Sequence, residues 1–180
     1  MKIVVITGSP HKKGTSALLA DEFIKGAVGA GHEVTRFDAA FREVHPCIAC
    51  YHCRREGDGR CVYRDDMDAL KPVLLAADCV VLVTPLYYSG MSAQLKQVID
   101  RFYAFNAPLR ESPKKALMLA TAADTDTWVM DGLIIHFRLL CRYLHWEELK
   151  SLRAYGVYHP EDMEATDYAA KARRLGETLA

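Results

Sequence analysis

Apolar runs short enough to be strands alternate with helix-period segments along the whole chain, and that alternation leaves few architectures open. The first run, Lys2–Thr7, is β-branched with no polar interior residue, the pattern of a strand covered on both faces. Gly8-Ser9-Pro10 ends it, and Thr15–Ala30 carries Leu18, Leu19, Phe23, Ile24 and Ala27 at helical spacing before Gly29 and Gly31. Glu33–Asp38 reads as a second strand and about Ala39–Arg64 as an irregular stretch. Asp65 or Asp66 can cap a helix through Ala77, with Met67, Leu70, Val73 and Leu74 facing inward. Cys79–Thr84 is a third strand, Thr84–Gly90 a loop, and Ser92–Phe105 a helix ended by Ala107-Pro108 and Ser112-Pro113. Lys115–Thr121 is a fourth strand, Trp128–His145 a helix, and Leu149–Val157 includes a fifth strand. Pro160–Leu179 closes the chain as an amphipathic helix with Tyr168, Ala172 and Leu175 on its buried side.

Five strands interleaved with five helices predict an α/β fold, a parallel sheet with helices on both faces. Right-handed crossovers favour strand order 2-1-3-4-5 in a three-layer sandwich, and ligands in such sheets lie outside the carboxyl ends of the strands. The loops after the first, third and fourth strands are therefore where chemistry is expected. Residues 1–180 read as a single domain, with 39–64 as an insertion.

Composition narrows the function. Lys plus Arg and Asp plus Glu each number 23, so the one-sided basic footprint of a nucleic-acid binder is missing. Apolar runs such as Val80–Val83 fall far short of the ~20 residues that span a bilayer. The N-terminal apolar run is too short for a signal peptide and lacks a cleavage site, so a cytoplasmic location is expected.

The first loop reads Gly8-Ser9-Pro10-His11-Lys12-Lys13-Gly14-Thr15-Ser16. Small hydroxyl residues at a helix N-terminus suit a phosphate, because free amides, hydroxyl donors and the positive end of the helix dipole converge there. The alternative is an ordinary turn with Thr15 or Ser16 as N-cap. Five residues separate the two glycines and Thr15 follows, so this is not a nucleotide P-loop; the dinucleotide pattern G-x-G-x-x-G is also absent. A single terminal phosphate, as in FMN, fits better. The second loop, Thr84-Pro85-Leu86-Tyr87-Tyr88-Ser89-Gly90-Met91, can offer a flat redox ring apolar stacking surfaces and backbone donors. Taken by itself such a loop is more often a plain surface or interface; opposite a phosphate loop on the same sheet edge, the balance reverses. The third, Thr121–Thr127, suits either the ring's far edge and ribityl chain or a helix cap.

Cys79 and Cys141 stand alone in apolar surroundings and read as core residues. Cys47, Cys50, Cys53 and Cys61 lie within fifteen residues. Two consecutive C-x₂-C steps are the spacing with which one loop wraps a [4Fe-4S] cluster, and a fourth cysteine completes the set. Zinc and free thiols remain open alternatives. His45 and His52 read as solvated loop residues rather than ligands.

Together these motifs resemble the NADPH-dependent FMN reductase and flavodoxin-like superfamily, and within it the iron–sulfur flavoprotein branch. The resemblance rests on Ile6–Ser16, on Pro85–Ala93 with Leu95-Lys96 and Asp100-Arg101, and on the four cysteines followed by Asp65-Asp66-Met67. It covers roughly Met1–Thr121. Two positions depart from the family pattern: His11 stands where Arg is usual, and Thr15 where Asn is usual.

The resemblance implies an FMN-dependent oxidoreductase. FMN phosphate would lie on Ser9, His11, Thr15, Ser16 and Ala17, and Pro85, Leu86, Tyr87, Tyr88, Ser89, Gly90 and Met91 would frame the isoalloxazine. NAD(P)H would be a transient substrate, and a quinone, flavin or metal complex the acceptor. No side chain need act as acid or base. Two alternatives accompany it: a relay from a ferredoxin-like donor through a [4Fe-4S] cluster on Cys47, Cys50, Cys53 and Cys61, and a non-enzymatic redox sensor. The family also implies a homodimer or homotetramer, with Tyr87, Tyr88, Tyr103 and Phe105 as candidate interface aromatics.

Overall fold

A computed structural model describes all 180 residues. Its elements are β1 (Lys2–Thr7), α1 (Thr15–Gly29), β2 (Glu33–Asp38), α2 (His52–Arg55), α3 (Met67–Ala76), β3 (Cys79–Tyr87), β4 (Gly90–Met91) and α4 (Ala93–Arg101). They continue as α5 (Asn106–Glu111), β5 (Lys115–Thr121), α6 (Asp131–Leu144), β6 (Glu147–Glu148), β7 (Leu152–Ala154), α7 (Pro160–Glu164) and α8 (Tyr168–Glu177). The sheet runs β2-β1-β3-β5-β6, with β7 also on the far side of β5 and β4 folded back on β3. Except for β4, every pairing is parallel. This is the expected order 2-1-3-4-5, with the fifth position filled by two short pieces rather than one strand. No helix is long and apolar enough to cross a membrane.

The period-two alternation of the central strands divides the core into two layers. Val4, Ile6, Val80, Leu82 and Met118 face α3, α4 and α6. Ile3, Val5, Val81, Val83, Leu117 and Leu119 face α1 and α8. Cys79 and Cys141 are both buried, and burial pushes each thiol up to about 12, as expected of inert core residues. The α1–α8 contact is close because glycines face it. A Cβ on Gly26 would lie 2.0 Å from the Arg173 carbonyl oxygen, and one on Gly176 would lie 2.2 Å from that of Phe23.

Four boundaries differ from expectation. The segment after Thr84 is a hairpin rather than an irregular loop: β3 continues to Tyr87, and Tyr88 and Ser89 make the turn with φ of 47° and 60°. Gly90 lies in the return strand. The helix from Ser92 ends as α-helix at Arg101 and tightens into a 3₁₀ turn over Phe102–Phe105. Ala107-Pro108 does not break a helix but lies in the first turn of α5, where a missing N–H costs nothing. The closing helix is two helices, α7 and α8, separated by Ala165–Asp167.

Candidate functional site

The loop after β1 approaches α4 closely. Ser92 Oγ donates to the Gly8 carbonyl at 2.8 Å and accepts from the Leu95 amide at 3.4 Å, while the Ser92 amide donates to Thr84 Oγ1 at 2.9 Å. A Cβ on Gly8 would lie 2.2 Å from Ser92 Oγ and 2.6 Å from Leu95 Cβ, so only glycine fits. Ser92 thus ties the ends of β1 and β3 to the start of α4. Beyond Gly8 the chain folds on itself: the His11 amide donates to Ser9 Oγ at 3.1 Å and the Gly14 amide to the His11 carbonyl at 3.2 Å. Gly14 is the α1 N-cap and offers no side chain to the first turn, so the amides of Thr15, Ser16 and Ala17 are left without protein partners. Thr15 Oγ1 donates to Thr121 Oγ1 at 3.2 Å, which joins this turn to the end of β5.

These loops surround an open cavity of about 710 Å³. One wall is Ser9 to Ser16, the second is Pro85, Leu86 and Tyr87 with Thr121 and Ala123, and the third is Val157 to Pro160. Ser9, Thr15, Ser16 and Thr121 are buried hydroxyls on its floor. His11, Lys12, Lys13 and His159 line it, and no Asp or Glu does. Lys12 is placed by a cation–π contact, its Nζ 4.8 Å from the Phe41 ring centre. Free amides, hydroxyls and cations without a carboxylate are chemistry that suits an anion, beside the apolar residues Pro85 and Leu86.

Of the expected cofactor residues, Ser9, His11, Thr15, Ser16, Pro85, Leu86 and Tyr87 meet at the cavity. Ala17, Tyr88, Ser89, Gly90 and Met91 do not line it. Ala17 is buried, though its amide belongs to the same first turn. Tyr88 is fully exposed at the hairpin tip, and Met91 packs into the core. The Val157–Pro160 wall was not anticipated. Its only signal was position, because it follows the carboxyl end of the edge strand β7.

The four clustered cysteines are free, and all four line one shallow crevice with Ile48, Tyr51, Tyr63 and Tyr103. Ala49 and Tyr51, on either side of Cys50, both have positive φ (52° and 60°). Burial and the neighbouring Cys61 raise the Cys53 thiol pKa. No three His, Cys, Asp or Glu side chains converge on a single metal ion. His45 takes part differently from expectation: its ring stacks on Tyr63 at 4.5 Å and lies 3.3 Å from Asp65.

A buried ion pair underlies this crevice. Arg101 Nη1 donates to Asp65 Oδ2 at 2.5 Å and to the His45 carbonyl at 2.8 Å, and Nη2 donates to Asp65 Oδ1 at 3.1 Å. Asp65 Oδ1 also accepts from the Met67 amide at 3.1 Å, so Asp65 rather than Asp66 caps α3. Burial pushes the Asp65 carboxyl up, but Arg101 and the amides of His45 and Met67 outweigh it and hold the pKa at about 2. Arg101 Nε is the one buried side-chain polar atom with no hydrogen-bond partner.

An iron–sulfur flavoprotein of Methanocaldococcus jannaschii is 37% identical over 110 residues, which is 61% of this chain and 54% of the relative. One from Archaeoglobus fulgidus is 37% identical over 105 residues, 58% of this chain and 47% of the relative. The chain thus spans about half the length of the curated relatives it matches. An NAD(P)H:quinone oxidoreductase structure from Methanothermobacter marburgensis superposes with a TM-score of 0.78 at 21% identity, covering 98% of this chain and 94% of that one. The family model for NADPH-dependent FMN reductase matches residues 1–146, and the chain belongs to that family.

Proposed function

We propose that the chain is a single FMN-binding domain that works as an FMN-dependent oxidoreductase. NAD(P)H would be the donor, and a quinone, another flavin or a metal complex the acceptor. The observation that carries this reading is the cavity itself: unpartnered amides of α1, buried hydroxyls and no lining carboxylate, beside an apolar wall. The residues fit the cofactor. The amides of Thr15, Ser16 and Ala17 with the hydroxyls of Ser9, Thr15 and Ser16 would hold the phosphate, and Lys12 and Lys13 would add positive potential. Pro85, Leu86 and Tyr87 would frame the ring on one side, facing Tyr158 and His159. FMN, when bound, supplies the capacity to take two electrons from a nicotinamide and pass them on. The chain's own part is to bind, orient and leave one face open, so no catalytic acid or base is assigned. Donor and acceptor would use that open face in turn.

The cysteine crevice supports a second reading, electron relay from a ferredoxin-like protein through an iron–sulfur cluster. Four thiols line one crevice, and the unpartnered Arg101 Nε is a donor that suits an anionic thiolate group. Rapid mixing of the FMN-loaded protein with NADH and with NADPH tests the main reading. Bleaching of the flavin absorbance by either donor is expected; failure of both would overturn it and leave the relay. A cytoplasmic homodimer or homotetramer completes the proposal, and sedimentation checks the assembly.

A further inference from the structure

Helix α6 buries Leu133, Phe137, Cys141 and Leu144 and turns its opposite side outward. At about 100° per residue, Asp131, Ile135, Arg138, Leu139, Arg142 and Tyr143 fall on one outward arc, and all six are exposed. Ile135 and Leu139 are each 55% exposed, and Tyr143 is 53% exposed. Three large apolar side chains at i, i+4 and i+8 form a continuous stripe, the pattern of a helix face that meets another element. No element of the chain covers it. Tyr143 is already held still: its hydroxyl accepts from Asn106 Nδ2 at 3.0 Å, and the Arg110 guanidinium lies 5.0 Å from its ring centre. The head of the stripe borders the hairpin tip, since a Cβ on Gly132 would lie 3.0 Å from the Ser89 carbonyl oxygen.

Charge along this face decides the occupant. Asp131 stands at its head and Arg142 at its tail, with the apolar stripe between them. Arg138, beside the stripe, is already neutralised by Glu148 at 3.4 Å. A two-fold axis crossing the helix at the level of Phe137 sets Ile135 against Leu139 of a second copy and Asp131 beside Arg142 of that copy, and the same contacts recur across the axis. A face acidic at one end, apolar in the middle and basic at the other is complementary to itself when reversed, and antiparallel helix dipoles agree with that direction. We infer that the outward face of α6 docks a second copy of this chain, as an antiparallel helix pair with Ile135 and Leu139 at its centre. This names the surface of the homo-oligomer reading and rests on it. The hairpin tip, with its fully exposed Tyr88, lies at the margin of the contact, so the cavity wall at Tyr87 comes next to the second copy.

Sedimentation velocity of the full chain tests this. Wild type should sediment as an oligomer, and Leu139→Glu, which sets a carboxylate against Ile135 of the second copy, should halve its mass. Charging a central contact residue weakens association by about a hundredfold, and here the change enters once per protomer. Leu139 is exposed, so the circular dichroism of the variant should match wild type. Asp131→Arg and Arg142→Asp each bring like charges together and should weaken the pair, whereas combining them should restore it. If Leu139→Glu fails to fold, the charge variants decide alone. A monomeric wild type would overturn the oligomer reading and this face together. An oligomer that Leu139→Glu leaves at full mass would overturn this face and leave the oligomer reading standing. A folded double charge variant as dissociated as its two parents would do the same, because the self-complementary register requires the rescue.

Discussion

Replacing Ser16 by Ala asks whether the cavity floor holds a phosphate. Ser16 is 2% exposed and lines the floor beside Thr15. Thr15, not Ser16, carries the hydroxyl tie to Thr121, so Ser16→Ala leaves the turn's own bonds in place. A hydrogen bond to a charged group contributes about 1.5–3 kcal/mol. At about 1.4 kcal/mol per decade, FMN affinity should fall roughly tenfold to a hundredfold. Riboflavin lacks the phosphate and should lose little. Flavin fluorescence quenching measures both constants on the same protein, and melting temperatures should agree closely between variant and wild type. Equal losses for FMN and riboflavin would place the ring, not the phosphate, against Ser16 and refute the assignment. A matched drop in melting temperature would refute the claim that the turn is self-supporting.

Three further outcomes follow. Gly8→Ala places a methyl group 2.2 Å from Ser92 Oγ and should destabilise the protein by about 1–3 kcal/mol in urea unfolding, with weakened FMN binding. Asp65 has a pKa of about 2 against an ordinary 3.8, so its contribution is present above about pH 4 and lost as pH falls toward 2. Asp65→Asn should cost about 2 kcal/mol at neutral pH from this linkage alone, and the gap in denaturant midpoints should close with acid. Cys50→Ser should abolish iron and sulfide uptake while FMN stays bound, since the cavity and the crevice share no lining residue; simultaneous loss of flavin would contradict their independence.

What the sequence revealed and what it hid have physical causes. The strands β1 and β5 are found residue for residue where the apolar runs place them, because strands buried on both faces must be apolar throughout; β2 also spans the expected Glu33–Asp38, although it is a half-exposed edge strand. The edge is different. Glu147 and Glu148 of β6 are both exposed, so no pattern announced them, and β7 is only three residues long. The hairpin tip was hidden for another reason. A two-residue turn with positive φ at both positions usually shows Asn or Gly, whereas here Tyr88 and Ser89 occupy it and Gly90 drew attention away. The residues of the loop after β1 that line the cavity were legible because local chemistry singles them out. The Val157–Pro160 wall was not, since it contributes by topology alone. Arg101 was visible only as part of a motif; its burial depends on Asp65, 36 positions away, and no periodicity encodes that pairing.

The two candidate sites are joined by one short helix. Ser92, at the head of α4, holds the Gly8 carbonyl and the Thr84 hydroxyl, and so sets the spacing of the loops around the anion cavity. Arg101, at the tail, reaches Asp65 and the underside of the cysteine crevice. Nine residues at 1.5 Å each separate these positions, a rise of about 13.5 Å. Leu95, Val98 and Ile99 are buried between them, so the helix cannot tilt without opening the core. Any shift of the Asp65–Arg101 pair on loading the crevice would therefore press on a rigid element whose other end positions Gly8 and Thr84. If the sites communicate, the effect should be carried by α4. Ser92→Ala, which cuts the bonds at one end only, should uncouple FMN affinity from iron loading while each group still binds. Titrating FMN into iron-loaded and iron-free protein, wild type and Ser92→Ala, measures this. A wild-type FMN affinity indifferent to iron would mean that α4 supports both sites without linking them.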